Sequence, residues 1–165
     1  MSKEEDIDLN LYSRQIGTFG MEAMGKLIKL KVLLVGMRGV GVETAKNLIL
    51  AGPAQVDILD EHPVSWGDLA SNFYCTEADV AKKTRADASV EKLRELNPYV
   101  KVNVVHGNAG EILGNYNVVC VSEIYSNLDE VIAWNEKARA AGVGFILAQN
   151  LGVAGSVFLD YGDNF

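Results

Sequence analysis

Two rhythms of hydrophobic and polar positions alternate along this chain of 165 residues. The first is the short, almost unbroken apolar run: "KVLLVGM" at 31–37, "QVDILDE" at 55–61, "VKVNVVHG" at 100–107, "NVVCVSEI" at 117–124, "VGFILAQN" at 143–150 and "GSVFLDYG" at 155–162. Runs of that length bounded by glycine, proline or polar residues predict strands, the first of them buried. Between them apolar residues return every three or four positions. After the first strand, Val42, Ala45 and Ile49 fall on one helical face, and Gly52-Pro53 ends the helix. "RADASVEKLRELNP" turns Ala86, Val90, Leu93 and Leu96 inward and stops at Pro98. "SNLDEVIAWNEKARAAG" opens on a Ser126-x-x-Asp129 capping signal and closes at Gly142. Ahead of all this, "LYSRQIGTFGMEAMGKLIKL" predicts a short helical arm loosened by Gly17 and Gly20.

Strands alternating with helices imply an α/β fold, a Rossmann-like, mainly parallel sheet flanked by helices, with ligands at the carboxyl ends of the strands. The chain contains no repeat or linker, so it divides into a flexible acidic start over 1–10 and one domain over 11–165. It stops at Phe165 directly after a strand with no closing helix, from which a truncated domain, a fragment of something longer, is expected.

Composition narrows the class. With 48% hydrophobic and 22% charged residues the chain is globular, and its net charge of −7 argues against nucleic acid as a partner. No apolar run approaches the roughly 20 residues of a membrane span. Cys75 and Cys120 lie far apart and form no zinc-type pair, so both are read as reduced core thiols. The acidic opening "MSKEEDIDLN" is unlike a signal or transit peptide, which places the protein in the cytoplasm and nucleus.

The glycine turn after the first strand carries the candidate chemistry. Gly36, Gly39 and Gly41 give G-x-x-G-x-G, with Arg38 where a dinucleotide fingerprint needs its second glycine. Gly36 and Gly41 keep the turn-making and helix-packing roles, and Asp60 ends the second strand where a ribose-binding acid belongs. Two readings stand: a working nucleotide site, or a retained frame in which Arg38 fills or guards the pocket. The second is favoured, because a long charged side chain stands where phosphate would approach closest.

The arm "YSRQIGTFGMEAMGKL", the turn "VGMRGVGVETAKNLILAG" and the segments "WGDLASNFY", "RADASVEKLRELNPYV" and "GVAGSVFLDYGDNF" together resemble ubiquitin-activating enzymes, in the first and catalytically silent of their two adenylation halves. The resemblance spans Leu11 to Phe165 and extends to the wider ThiF/MoeB-type adenylating domains. It implies a two-site architecture. The active half binds ATP and magnesium and adenylates the carboxyl terminus of ubiquitin, and a cysteine in a later domain takes the acyl group. The silent half binds no cofactor itself but pairs with the active one.

On the active pattern, Arg38 replaces the middle glycine and His62 stands where a second, magnesium-binding acid is expected after Asp60. "DLASNF" keeps Asp68 as a polar residue and puts Ser71 in place of an arginine. The resemblance assigns Arg14 to the ATP phosphates of the active half, in trans, as a planar charged fork. Catalytic residues and metal ligands are expected to be absent from this piece, which alone is expected to be inactive and to self-associate through uncovered apolar surface.

Other residues carry less. Arg85 falls near a phosphate-contacting lysine of active halves but is read as an exposed helix-start residue, and Lys82 and Lys83 as a solvated pair. His62 and His106 are loop residues, and Trp66 and Trp134 packing anchors. The small subunit of the SUMO-activating enzyme and a nucleotide-dependent Rossmann oxidoreductase remain as alternatives.

Overall fold

In the computed structural model, which describes residues 8–124 and 127–163, the apolar runs become six strands: β1 (Lys31–Val35), β2 (Gln55–Leu59), β3 (Lys101–Val104), β4 (Val118–Val121), β5 (Gly144–Leu151) and β6 (Ala154–Asp160). They form one sheet in the order β3-β2-β1-β4-β5-β6. β1 to β5 are parallel, and β6 returns antiparallel on β5 in a hairpin. The order reverses between β1 and β4, so the carboxyl ends of those strands open the crevice in which such sheets place their ligands.

Five helices accompany the sheet: α1 (Ser13–Leu27), α2 (Gly39–Ala51), α3 (Arg85–Arg94), α4 (Ala109–Ile112) and α5 (Leu128–Ala140). Because successive side chains of a strand point to opposite faces, β1 feeds two cores. Leu34 joins Val42, Ala45 and Ile49 of α2 and Ala86, Val90 and Leu93 of α3. Leu33 and Val35 join Val131 and Ala138 of α5, with Phe145. A strand covered on both faces has no polar side to show, hence the continuous run "VLLV". Leu96, expected to face inward, packs at the margin of the first core while partly exposed.

The helix ends are set by local chemistry. Gly52, at φ +90°, caps α2 and donates its N–H to the carbonyls of Leu48 and Ile49. The Thr84 hydroxyl accepts from the Asp87 N–H at the start of α3. For α5 the expected Ser126 cap lies outside the described residues, and Asn127 does the capping by accepting from the Glu130 N–H at 2.8 Å. α1 is interrupted at Gly20 (φ 81°, ψ 164°), so its first two turns are not helically continuous with the part that buries Met24. Among the described residues no helix is long and apolar enough to cross a membrane.

Candidate functional site

The glycine turn links β1 to α2. Gly36 sits at φ +99°, and a Cβ there would come within 2.6 Å of the Ser122 hydroxyl oxygen. At Gly41 a Cβ would lie 2.0 Å from the Gly36 carbonyl oxygen, so the helix can close onto the turn only with glycine here. The third glycine, Gly39, is less constrained: its Cβ would meet Ser71 at 3.3 Å. Asn72 holds the turn from outside. It is fully buried, and its Nδ2 donates to the Met37 carbonyl and to the Ser89 hydroxyl, each at 3.0 Å.

Above the turn lies a cleft of about 340 Å³ bordered by Arg38, Gly39, Ser71, Ser122, Glu123 and Asn150. Beneath it, three carboxylates face two guanidinium groups. Asp60, at the end of β2, turns its carboxylate into the body: Oδ2 accepts from the Met37 N–H at 2.8 Å and Oδ1 from the His62 N–H at 3.0 Å. Asp68 accepts at Oδ2 from the N–H and hydroxyl of Ser65, at 2.8 and 2.7 Å. Glu123 follows β4 and takes Arg38 Nη1 at 2.8 Å.

Arg85 is the centre of this cluster. The sequence reading made it an exposed helix-start residue, and the structure corrects this: it is only 3% exposed. Its Nε lies 3.0 Å from Asp68 Oδ1, and its Nη1 lies 3.6 Å from Asp60 Oδ2 and 3.7 Å from Glu123 Oε2. The 3.0 Å contact is an ion pair whose N–H direction misses the oxygen, so Nε, Nη1 and Glu123 Oε2 all lack a directed hydrogen-bond partner in the protein. The guanidinium is therefore held by charge more than by geometry.

The electrostatics follow from burial against pairing. Burial alone would raise the Asp68 carboxyl, but the Ser65 hydrogen bonds and the Arg85 charge outweigh it and hold the group below its ordinary value. Burial alone would lower the Arg85 guanidinium, and Asp68, Asp60 and Glu123 reverse this and raise it. Both stay charged and locked to each other. Arg38, at the N-cap of α2, is different: 57% of its side chain is exposed, and it spans the cleft mouth from Glu123 toward Asp68, 3.7 Å from Nε.

The other sequence candidates lie apart. Arg14 is on the exposed first turn of α1, outside this cluster, and its guanidinium makes no ion pair with any described residue. Lys83 pairs with Asp79 at 2.8 Å. Trp66 is not a packing anchor, since 67% of it is exposed, whereas Trp134 packs against the second core. Cys75 and Cys120 are buried free thiols, and burial pushes both up, Cys120 to about 11, which suppresses the thiolate. Nowhere among the described residues do three His, Cys, Asp or Glu side chains converge as a metal site.

Sequence reasoning missed Glu123 and Asn72. Glu123 carried a usable signal, because it directly follows an apolar strand beside the switch point. Asn72 carried none beyond its place in "DLASNF".

A turn of this kind at the switch point of a 3-2-1-4-5 parallel sheet is the frame of a Rossmann-like nucleotide site. Residues 12–135 match the ThiF family, and the chain belongs to it. Its relatives include "Ubiquitin-activating enzyme E1 1" of Candida albicans, 39% identical over 161 residues, and the protein of that name from Schizosaccharomyces pombe, 40% over 162. The human "Ubiquitin-like modifier-activating enzyme 1" is 39% identical over 161 residues. These alignments cover 97–98% of this chain but only 15–16% of each relative, so the chain spans less than a fifth of their length.

Proposed function

We propose that this domain is the non-catalytic first adenylation half of a ubiquitin-activating enzyme, which pairs with an active half and presents Arg14 to the ATP bound there. The observation that carries the silent role is Arg85. Adenylation needs magnesium and mobile positive charge at the phosphates. Here a buried guanidinium already stands 3.6 Å from Asp60, the first acid of the active pattern, and 3.0 Å from Asp68. His62 takes the place of the second acid and leans back to Asp60 at 3.3 Å. Displacing Arg85 would leave the buried Asp60 and Asp68 without their shared cation, so the residues present do not fit Mg-ATP in this half.

Pairing is supported by the far edge of the sheet. Among the described residues β6 pairs only with β5, and the hairpin exposes Leu151, Val153, Val157, Phe158 and Leu159, with Phe158 on the opposite face of the strand from Val157 and Leu159. An edge strand with exposed apolar side chains favours a partner. The oxidoreductase alternative is disfavoured by the same charge cluster, since Arg38 and Glu123 cross the mouth through which a dinucleotide would enter.

Calorimetry with Mg-ATP, together with ATP–pyrophosphate exchange in the presence of ubiquitin, tests the silent role on this chain. No heat of binding and no exchange are expected. Micromolar affinity or measurable exchange overturns the reading.

A further inference from the structure

The arm that carries Arg14 has an attachment point, and it is Tyr12. Tyr12 is 4% exposed although its neighbours Leu11, Ser13 and Arg14 are all exposed. Its ring sits against Gly52, the left-handed cap of α2. A Cβ at Gly52 would come within 2.4 Å of the Tyr12 hydroxyl and 2.7 Å of two ring carbons, so the seat exists only because this residue is glycine. The hydroxyl accepts from Asn97 Nδ2 at 2.9 Å, and the same nitrogen donates to the Ile49 carbonyl at 3.0 Å. Asn97 is itself buried, just beyond the end of α3. One phenol thus ties the arm to the carboxyl-terminal ends of α2 and α3 together.

Little else fixes the first turns of α1. The break at Gly20 uncouples them from the segment anchored by Met24. On the other side the chain is steadied at its root, where Asp8 accepts from the Asn10 and Leu11 N–H groups and from the Tyr99 hydroxyl, and the Ser13 hydroxyl donates to the Asn10 carbonyl. Tyr12 also borders a cavity of about 320 Å³ shared with Tyr99 and Lys101, so packing does not enclose it on every side. The hydrogen bond from Asn97 adds a directed contact to the packing of the ring on Gly52.

We propose that Tyr12 is a positioning residue for Arg14: its hydroxyl, latched by Asn97 over Gly52, aims the first turn of α1. Arg14 follows two residues later on that turn, so its direction is inherited from Tyr12. This rests on the reading of Arg14 given above, and the test separates the two. Tyr12→Phe keeps the ring on Gly52 and deletes only the acceptor for Asn97.

In the full-length enzyme, Tyr12→Phe should lower kcat for ATP–pyrophosphate exchange about three- to tenfold, the worth of one buried hydrogen bond. The KM for ubiquitin should not move, and Tyr12→Phe should add nothing in an Arg14→Ala background. Amide hydrogen exchange over residues 13–19, measured without nucleotide, should accelerate by a similar factor while β1 stays protected. A slow Arg14→Ala enzyme beside a full-rate Tyr12→Phe enzyme overturns the latch, as do multiplicative effects in the double variant. If Arg14→Ala exchanges at the wild-type rate, the role of Arg14 falls. The latch is then decided by hydrogen exchange, and unchanged protection over 13–19 in Tyr12→Phe overturns it.

Discussion

Arg85 and Arg14 lie at opposite extremes of solvation in the same domain. Arg85 is enclosed by Asp60, Asp68 and Glu123 at the carboxyl ends of the strands, where a ThiF-type sheet would place a nucleotide. Arg14 stands on an exposed turn and pairs with nothing among the described residues. A guanidinium stays charged in either setting, so the difference lies in what its charge is available for. At Arg85 it is taken up inside the fold by three acids. At Arg14 no described residue takes it up. On the proposed reading, silencing and assistance lie at separate places, and each can be removed without the other.

The largest effect should come from breaking the sealed region. Arg85→Met removes the buried cation and leaves Asp60 and Asp68 with their hydrogen bonds and the exposed Arg38 alone to offset their charge, at a cost of about 3–5 kcal/mol. For a domain of this size that lowers the melting temperature by roughly 10 °C. Arg85→Lys should recover part of it, since an ammonium cannot reach Asp68 and Glu123 in one planar fork. Thermal unfolding followed by circular dichroism makes the comparison. Wild-type stability in Arg85→Met would mean that the acids take up protons at little cost and that the cluster is not a seal.

A smaller effect, of a different kind, is expected at the arm. In the full-length enzyme Arg14→Ala should slow ATP–pyrophosphate exchange by roughly one to two decades, for a charged contact worth about 1.5–3 kcal/mol. Its melting temperature should match wild type, because the side chain is exposed and makes no ion pair with any described residue. Arg14→Lys should restore only part of the rate. Full-rate exchange in Arg14→Ala would make it an ordinary surface arginine, and a collapsed melting temperature would make the arm structural. Either result dissolves the contrast with Arg85.

The same contrast explains what could be read from the sequence. β1, β2 and β4 were legible because a strand covered on both faces must be an apolar run, β3 because apolar residues alternate there with exposed Lys101 and Asn103, and α2, α3 and α5 because each repeats its apolar face over several turns. α4 was not, since Ala109–Ile112 is a single turn, too short to show a period. At the site, Gly36 and Gly41 were legible because their backbone demands permit no other residue. Arg85 was not. Its burial depends on how the long connection from Glu61 to Thr84 folds back, where the Arg85 N–H donates to the His62 carbonyl and Val64 bonds across to Lys83. That is a tertiary result, and the apolar pattern near "AKKTRA" holds no trace of it. Arg14 was singled out only by family resemblance, because an exposed arginine has no local signature.

The smallest predicted effect sharpens the comparison within that connection. Asp79 accepts from the N–H and hydroxyl of Thr76, at 2.9 and 2.6 Å, and pairs with Lys83. The Lys83 and Thr76 hydrogen bonds outweigh burial and lower its carboxyl from 3.8 to about 2. A folded-state value below the unfolded one means stability that is fully present above about pH 4 and is lost as pH falls toward 2. Asp79→Asn should therefore cost about 1 kcal/mol near neutrality, where the capping box loses its charge-assisted bonds. That deficit should shrink steadily in urea titrations carried from about pH 5 down to about pH 2.5. Lys83 is mostly exposed, so added salt should trim the ion-pair share while leaving the Thr76 share intact. A deficit that stays constant across the acid range would show that Asp79 acts through shape alone. The turn leading into Arg85 would then owe nothing to the Asp79 charge, and the electrostatic seal would begin only at Asp60 and Asp68.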